Sequence, residues 1–176
     1  SRNGIVPSRD SKDFMEISYK RPSTKYQKLM RIEALLAPSD TRLANHRDDI
    51  AARFAKIIRL CHSSGRLNTS LSPSARKLFG LNKVALRVLD PHRPSPTITS
   101  MPDDLLHYAE PRTLTVRETA RLQSFPDWFS FHGKYTTGGH LRRREVPRFT
   151  QVANAVPPLV AEAIGRHLRD LWKSGI

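Results

Sequence analysis

Residues 112–127 read RTLTVRETARLQSFPD. Thr115 followed three positions later by Glu118 has the form of a capping box, in which a hydroxyl and a carboxylate each satisfy an orphan backbone N–H. That predicts a short helix over 116–124, stopped by Phe125 and Pro126. Downstream, 151–158 read QVANAVPP, and prolines are tolerated in a first helical turn because their missing donors would be unpaired there anyway. From Pro157 and Pro158 onward, Leu159, Val160, Ala163, Ile164, Leu168, Leu171 and Trp172 form one apolar stripe that ends just before Gly175. A stripe of this kind at the terminus of a small chain needs a partner surface.

Upstream, Leu43, Ile50, Phe54, Ile57, Ile58 and Cys61 fit a second helical stripe. With Ser39 and Asp40 read as its cap and Ser63, Ser64 and Gly65 as its end, it predicts a helix of about six turns. Its other face carries Arg42, Arg47, Arg53, Lys56 and Arg59, either a solvated face or one turned to phosphates. Five of the thirteen prolines fall between Pro91 and Pro111, which leaves room only for loops and short or edge strands. Residues 84–89 and 97–99 are the best strand candidates by β-branched content. Residues 1–38 mix Ser, Pro and charge with one brief alternating run at 14–19, and predict an extended, poorly packed basic segment. Residues 129–149, with Gly133, Gly138, Gly139 and the cluster Arg142, Arg143, Arg144, predict a mobile basic loop.

Thirty Lys and Arg against sixteen Asp and Glu leave a net charge of +14, a self-repulsion that a polyanion or an acidic partner would relieve. Twenty-one of the cations are arginines, whose planar fork suits phosphates and base edges. No apolar run approaches the roughly 18 residues of a membrane-spanning helix. One cysteine, Cys61, admits neither an internal disulfide nor a zinc knuckle, and its place on an apolar stripe predicts a buried, inert thiol. The seven histidines lack metal-ligand spacing, so no metal site is expected, and neither His46 nor His62 has a companion for general-base work. No Gly-x-Gly element follows a strand to cradle a nucleotide. Phe125, Trp128, Phe129, Phe131 and Tyr135, just ahead of the arginine cluster, suit a nucleic-acid groove and a small core equally well.

The two stretches quoted first resemble the ninth and tenth sequence blocks of the cytosine-5 DNA methyltransferases, R-x-L-T-x-R-E-x-A-R-L-Q-x-F-P-D and Q-x-G-N-A-V-P-P. RPSPTIT at 93–99 is similar to the end of that family's target-recognition region, and NHRDDIAARF at 45–54 to a segment of many bacterial members. The resemblance covers about residues 40–173. The family's S-adenosylmethionine loop, Pro-Cys nucleophile block, Glu-Asn-Val block and Gln-Arg-x-Arg block do not occur in these 176 residues. In the family a thiolate adds to C6 of a flipped-out cytosine, a Glu assists at N3, and C5 takes the methyl group.

The resemblance implies an α+β chain divided into the extended segment 1–38, a small target-recognition domain at 39–150 with few short strands and several helices, and a tail at 151–176. The tail's last helix would dock on a Rossmann-like methyltransferase domain absent from this chain. Thr97 and Ile98 would contact DNA beside the extruded base, with an edge-strand Thr as the plain alternative, and Arg142, Arg143 and Arg144 would track phosphates. Arg117, Glu118 and Arg121 would brace the domain. Asn154, Ala155 and Val156 would line the S-adenosylmethionine pocket, where Ala153 replaces a Gly and could restrict the turn. No catalytic residue is implied. The function expected is that of a C-terminal fragment or subunit of a DNA (cytosine-5-)-methyltransferase, inactive alone, in a restriction-modification setting. Ser1 in place of an initiator methionine favours a fragment. A non-catalytic DNA-binding or regulatory module is the competing reading, and a basic nucleic-acid binder with an accidental likeness is a third. Expected partners are duplex DNA and an N-terminal catalytic half, or a second copy of the chain on the exposed helix, with no membrane. The expected setting is the reducing cytoplasm or nucleoid of a bacterium or phage host.

Overall fold

The computed structural model describes residues 2–34, 36–136 and 145–175, and these build a mixed helical chain with two small sheets. β1 (Arg2–Pro7) and β2 (Met15–Tyr19) form an antiparallel hairpin with Val6 opposite Glu16. The far edge of β2 is occupied too, because Ile17 N–H donates to the Thr41 carbonyl at 3.0 Å and Leu43 N–H to the Met15 carbonyl at 2.8 Å. The opening segment is therefore a paired hairpin, not an unpaired extension. The alternation at 14–19 signalled only one of its strands, since Ile5 and Val6 are exposed. α1 (Lys25–Met30) follows, with a complete capping box between Thr24 and Gln27.

α2 spans Asp48–Ser63, about four and a half turns, and its Phe54, Ile57, Ile58 and Cys61 are buried. It begins later than the stripe suggested because Ser39 and Asp40 are no cap. Asp40 has φ 64 and is buried as an ion-pair partner, while Asp48 and Asp49 supply the negative first turn that a helix N-terminus favours. The α2 face packs on α3 (Pro73–Leu78) and on β3 (Arg87–Val88) through Leu71, Ala75, Leu86 and Val88, together with Leu106. Burying each large apolar side chain in this cluster contributes roughly 1.5–3 kcal/mol. β3 pairs in parallel with β4 (Leu105–Leu106), so only two of the residues 84–89 are strand. Residues 97–99 form no strand. They sit in the proline-rich loop, where Ile98 packs against two clusters at once.

α4 (Val116–Leu122) carries the expected capping box: Glu118 N–H donates to Thr115 Oγ1 at 3.1 Å and Thr115 N–H to Glu118 Oε2 at 2.9 Å. It ends two residues short of expectation, where Ser124 takes φ 61 and Phe125 N–H returns to the Ala120 carbonyl. α5 (Arg148–Asn154) lies within and beyond the stretch expected to be loop. With Val116, Ala120, Phe125, Phe131 and Tyr135, its Phe149 and Val152 close the second core cluster. Three of the five aromatics thus serve as core, while Trp128 and Phe129 are exposed. α6 (Pro158–Lys173) buries no residue. Its first turn is tied to the turn that follows α4 by Leu159 N–H donating to Ser124 Oγ at 3.1 Å. Val160, Ile164, Leu168 and Trp172, the last 84% exposed, show their apolar sides to water. No described helix is long and apolar enough to cross a membrane.

Candidate nucleic-acid interface

Three sequence-distant stretches meet around one cleft of about 630 Å³. The loop 93–98 forms one wall, the end of α4 with Arg121, Leu122 and Gln123 the second, and Ala153 and Ala155 at the end of α5 the third; Tyr26 of α1 completes the lining. Gln123 Nε2 donates to the Val152 carbonyl at 3.0 Å, which locks the second wall to the third. Tyr26 Oη donates to the Arg121 carbonyl. The lining holds hydroxyls of Ser95 and Thr97, the Gln123 amide, the guanidinium of Arg93 and that of Arg121, the latter already paired with Asp127, and no carboxylate among the described residues. Arg93 is 79% exposed at its side chain and only loosely held by Asp90 at 3.7 Å. Charge and hydroxyls of this kind suit a sugar-phosphate chain better than a cationic small molecule.

The scaffold beneath is a set of buried ion pairs. Arg117, with no exposed surface, donates through Nε to the Ser39 carbonyl at 3.0 Å, through Nη1 to the Pro126 carbonyl at 3.1 Å, and through Nη2 to Asp40 at 3.2 Å. Asp40 also accepts from Arg148 at 2.8 Å and from the Phe131 N–H at 3.2 Å. Burial pulls the Arg117 guanidinium below its ordinary pKa, against the opposing charge of Asp40. Arg112 grips Glu118 with both nitrogens at 2.8 and 2.9 Å. Burial works against the Glu118 charge, but the Arg112 hydrogen bonds and charge outweigh it and hold this carboxyl below the usual range. Arg121 is bidentate on buried Asp127 at 2.9 and 2.7 Å, with Tyr19 stacked against its guanidinium at 4.2 Å.

The expected site residues fall as follows. Thr97 is exposed and Ile98 half-buried, both on the cleft. Ala155 lines the cleft, whereas Asn154 and Val156 are exposed beside it. Ala153 lies in the last turn of α5 and does not have positive φ, so no glycine is needed there, and the expected restriction of the turn does not arise. Arg142, Arg143 and Arg144 lie outside the described residues. His46 Nε2 accepts from the Thr113 N–H at 3.3 Å, and His62 Nε2 meets the Tyr108 carbonyl at 2.6 Å, so both rings are held in structural bonds. Cys61 is buried, and burial raises its thiol pKa. Tyr26 was not anticipated, although the Thr24–Gln27 capping box that positions it was there to be found. Gln123 and Arg93 lay inside the quoted motifs without being singled out.

The C-5 cytosine-specific DNA methylase family matches residues 9–170. The chain belongs to that family. This methylase chain is 48% identical over 86 residues to the type II methyltransferase M.AquIB of Picosynechococcus sp., covering 48% of this chain and 62% of that protein. It is 31% identical over 155 residues to the type II methyltransferase M.DdeI of Desulfomicrobium norvegicum, covering 84% of this chain and 36% of that one. A crystal structure assigned as a DNA modification methyltransferase encoded within an E. coli prophage shares its fold. The TM-score is 0.55 at 23% identity, over 98% of this chain and 43% of the other. The methylase chain thus spans only part of the length of each relative. M.AquIB, 62% of which is accounted for by 86 residues, is itself shorter than this chain.

Proposed function

We propose that this chain is the C-terminal recognition part of a DNA (cytosine-5-)-methyltransferase, acting as fragment or subunit with an N-terminal part that holds the nucleophilic thiolate and most of the S-adenosylmethionine site. The observation that carries the reading is the cleft, which brings the 93–98 loop, the α4 block and the 153–155 turn together in a chain of this family. Thr97, exposed at its rim, hydrogen-bonds the DNA backbone beside the target nucleotide, and half-buried Ile98 anchors the loop. Arg142, Arg143 and Arg144, outside the described residues, add phosphate contacts. Arg117, Glu118 and Arg121 brace the domain through their ion pairs.

S-adenosylmethionine supplies the methyl group. Asn154, Ala155 and Val156 offer one amide and two apolar side chains, with no carboxylate among the described residues of the adjoining cleft for ribose hydroxyls. They fit one wall of a cofactor site and not a whole one. The apolar face of α6 docks on the cofactor domain of the N-terminal part, which places 151–176 with that domain and 39–150 with DNA. A short relative such as M.AquIB supports the view that a separate polypeptide of this size has a place in the family. In the assembled enzyme Thr97→Ala should lower methyl transfer while leaving thermal stability within about 0.5 kcal/mol, as for an exposed side chain. An unchanged rate and unchanged duplex affinity would contradict the role of the cleft.

A further inference from the structure

Eight of the chain's cations, and no Asp or Glu, fall within residues 50–89. This segment starts just after the exposed Asp48 and Asp49 that open α2, and folds with them as the lobe built from α2, α3 and β3. Among the described residues only Lys83 of this segment meets carboxylates, Asp103 and Asp104 from outside it, each at 2.6 Å. Among the described residues Arg53, Lys56, Arg59, Arg66, Arg76 and Lys77 pair with no acid. Two of the five basic residues first assigned to the outer face of α2 are engaged elsewhere. Arg42 precedes the helix and stacks between Phe14 and Tyr135 at 4.1 and 3.7 Å, and Arg47 pairs with Asp49 at 3.0 Å.

Of the remaining three, Lys56 and Arg59 are exposed and turned away from the buried Phe54, Ile57, Ile58 and Cys61, while Arg53 is half-buried at the edge of that buried face. From Arg53 to Arg59 the helix spans about 9 Å along its axis, and its two exposed cations, Lys56 and Arg59, stand where neighbouring phosphates of one strand would meet them. Ala52, exposed on the same side, leaves room for close approach. Arg53, whose Nε is shielded from solvent, borders this patch without belonging to its exposed part. We infer that this outer face of α2 is a second duplex-DNA contact, separate from the cleft, that grips the sugar-phosphate backbone without reading sequence. It rests on the proposed function of the chain.

The test is duplex binding by the full-length protein that carries this chain, measured across a salt series on target and non-target sequences. The double variant Lys56→Gln/Arg59→Gln is compared with Arg166→Gln/Arg169→Gln, whose cations are paired with Glu162 and Asp170 on the polar side of α6. Both remove the same net charge. For the α2 variant the slope of log affinity against log salt should fall by roughly 1.8, about 0.9 per lost phosphate contact, with equal weakening on both sequences. The α6 variant should keep the parental slope. Equal slopes for parent and α2 variant would overturn the inference, as would weakening confined to the target sequence or seen only with single-stranded RNA or an acidic polypeptide. A parent protein that binds no duplex would overturn the functional reading and this inference with it.

Discussion

Glu118 serves two structures at once, closing the α4 capping box through its carboxylate and receiving the Arg112 fork. Removing one partner of such a shielded pair leaves the other uncompensated, so Glu118→Gln should cost about 2–4 kcal/mol at neutral pH. Its folded-state pKa lies below the unfolded value of about 4.5, so the stabilisation is complete above that value and is lost as pH falls through the folded pKa. Denaturant unfolding between pH 7 and pH 3 should show the parent losing stability more steeply than Glu118→Gln, with the gap between them narrowing. Parallel curves would show that the carboxylate contributes nothing through its charge. The local half of this arrangement was readable, since Thr115-x-x-Glu118 is a motif within four residues. The Asp40–Arg117 pair was not, because its members are 77 residues apart and Asp40, beside Ser39, has the local look of a helix cap.

At the scale of elements, what could be read depended on whether the signal was local. α4 and α6 announce themselves by a capping box, by prolines and by a sustained stripe. α5 has seven residues, two of them buried, and Pro147 at its start without a side-chain cap, so its helicity comes from packing on α4. The cleft had no local signature at all, because its walls at 93–98, 121–123 and 153–155 are joined only by folding, although all three lay in stretches already singled out. α6 makes the sharpest prediction here. If Leu168, 59% exposed on its apolar side, is covered by the cofactor domain, Leu168→Asp should weaken association with the N-terminal part by at least about tenfold, given roughly 1.5–3 kcal/mol for one buried leucine. The helix content of this chain should not change. Undiminished association in a pull-down or titration would rule out docking through this face, and self-association abolished by the same substitution would identify a second copy as its partner.

For the whole molecule, a +14 chain with a strongly basic lobe, a hydroxyl- and guanidinium-lined cleft and an uncovered terminal helix has three surfaces that call for two different partners. The basic surfaces suit a duplex, and the apolar one suits protein. The division of labour between this chain and an N-terminal part is most directly tested by transfer of labelled methyl groups from S-adenosylmethionine into duplex DNA. The chain alone, the N-terminal part alone and the two mixed would be assayed side by side. Label should enter cytosine C5 only in the mixture. Incorporation by this chain unaided, or none in a mixture whose parts demonstrably associate and bind the duplex, would contradict the account.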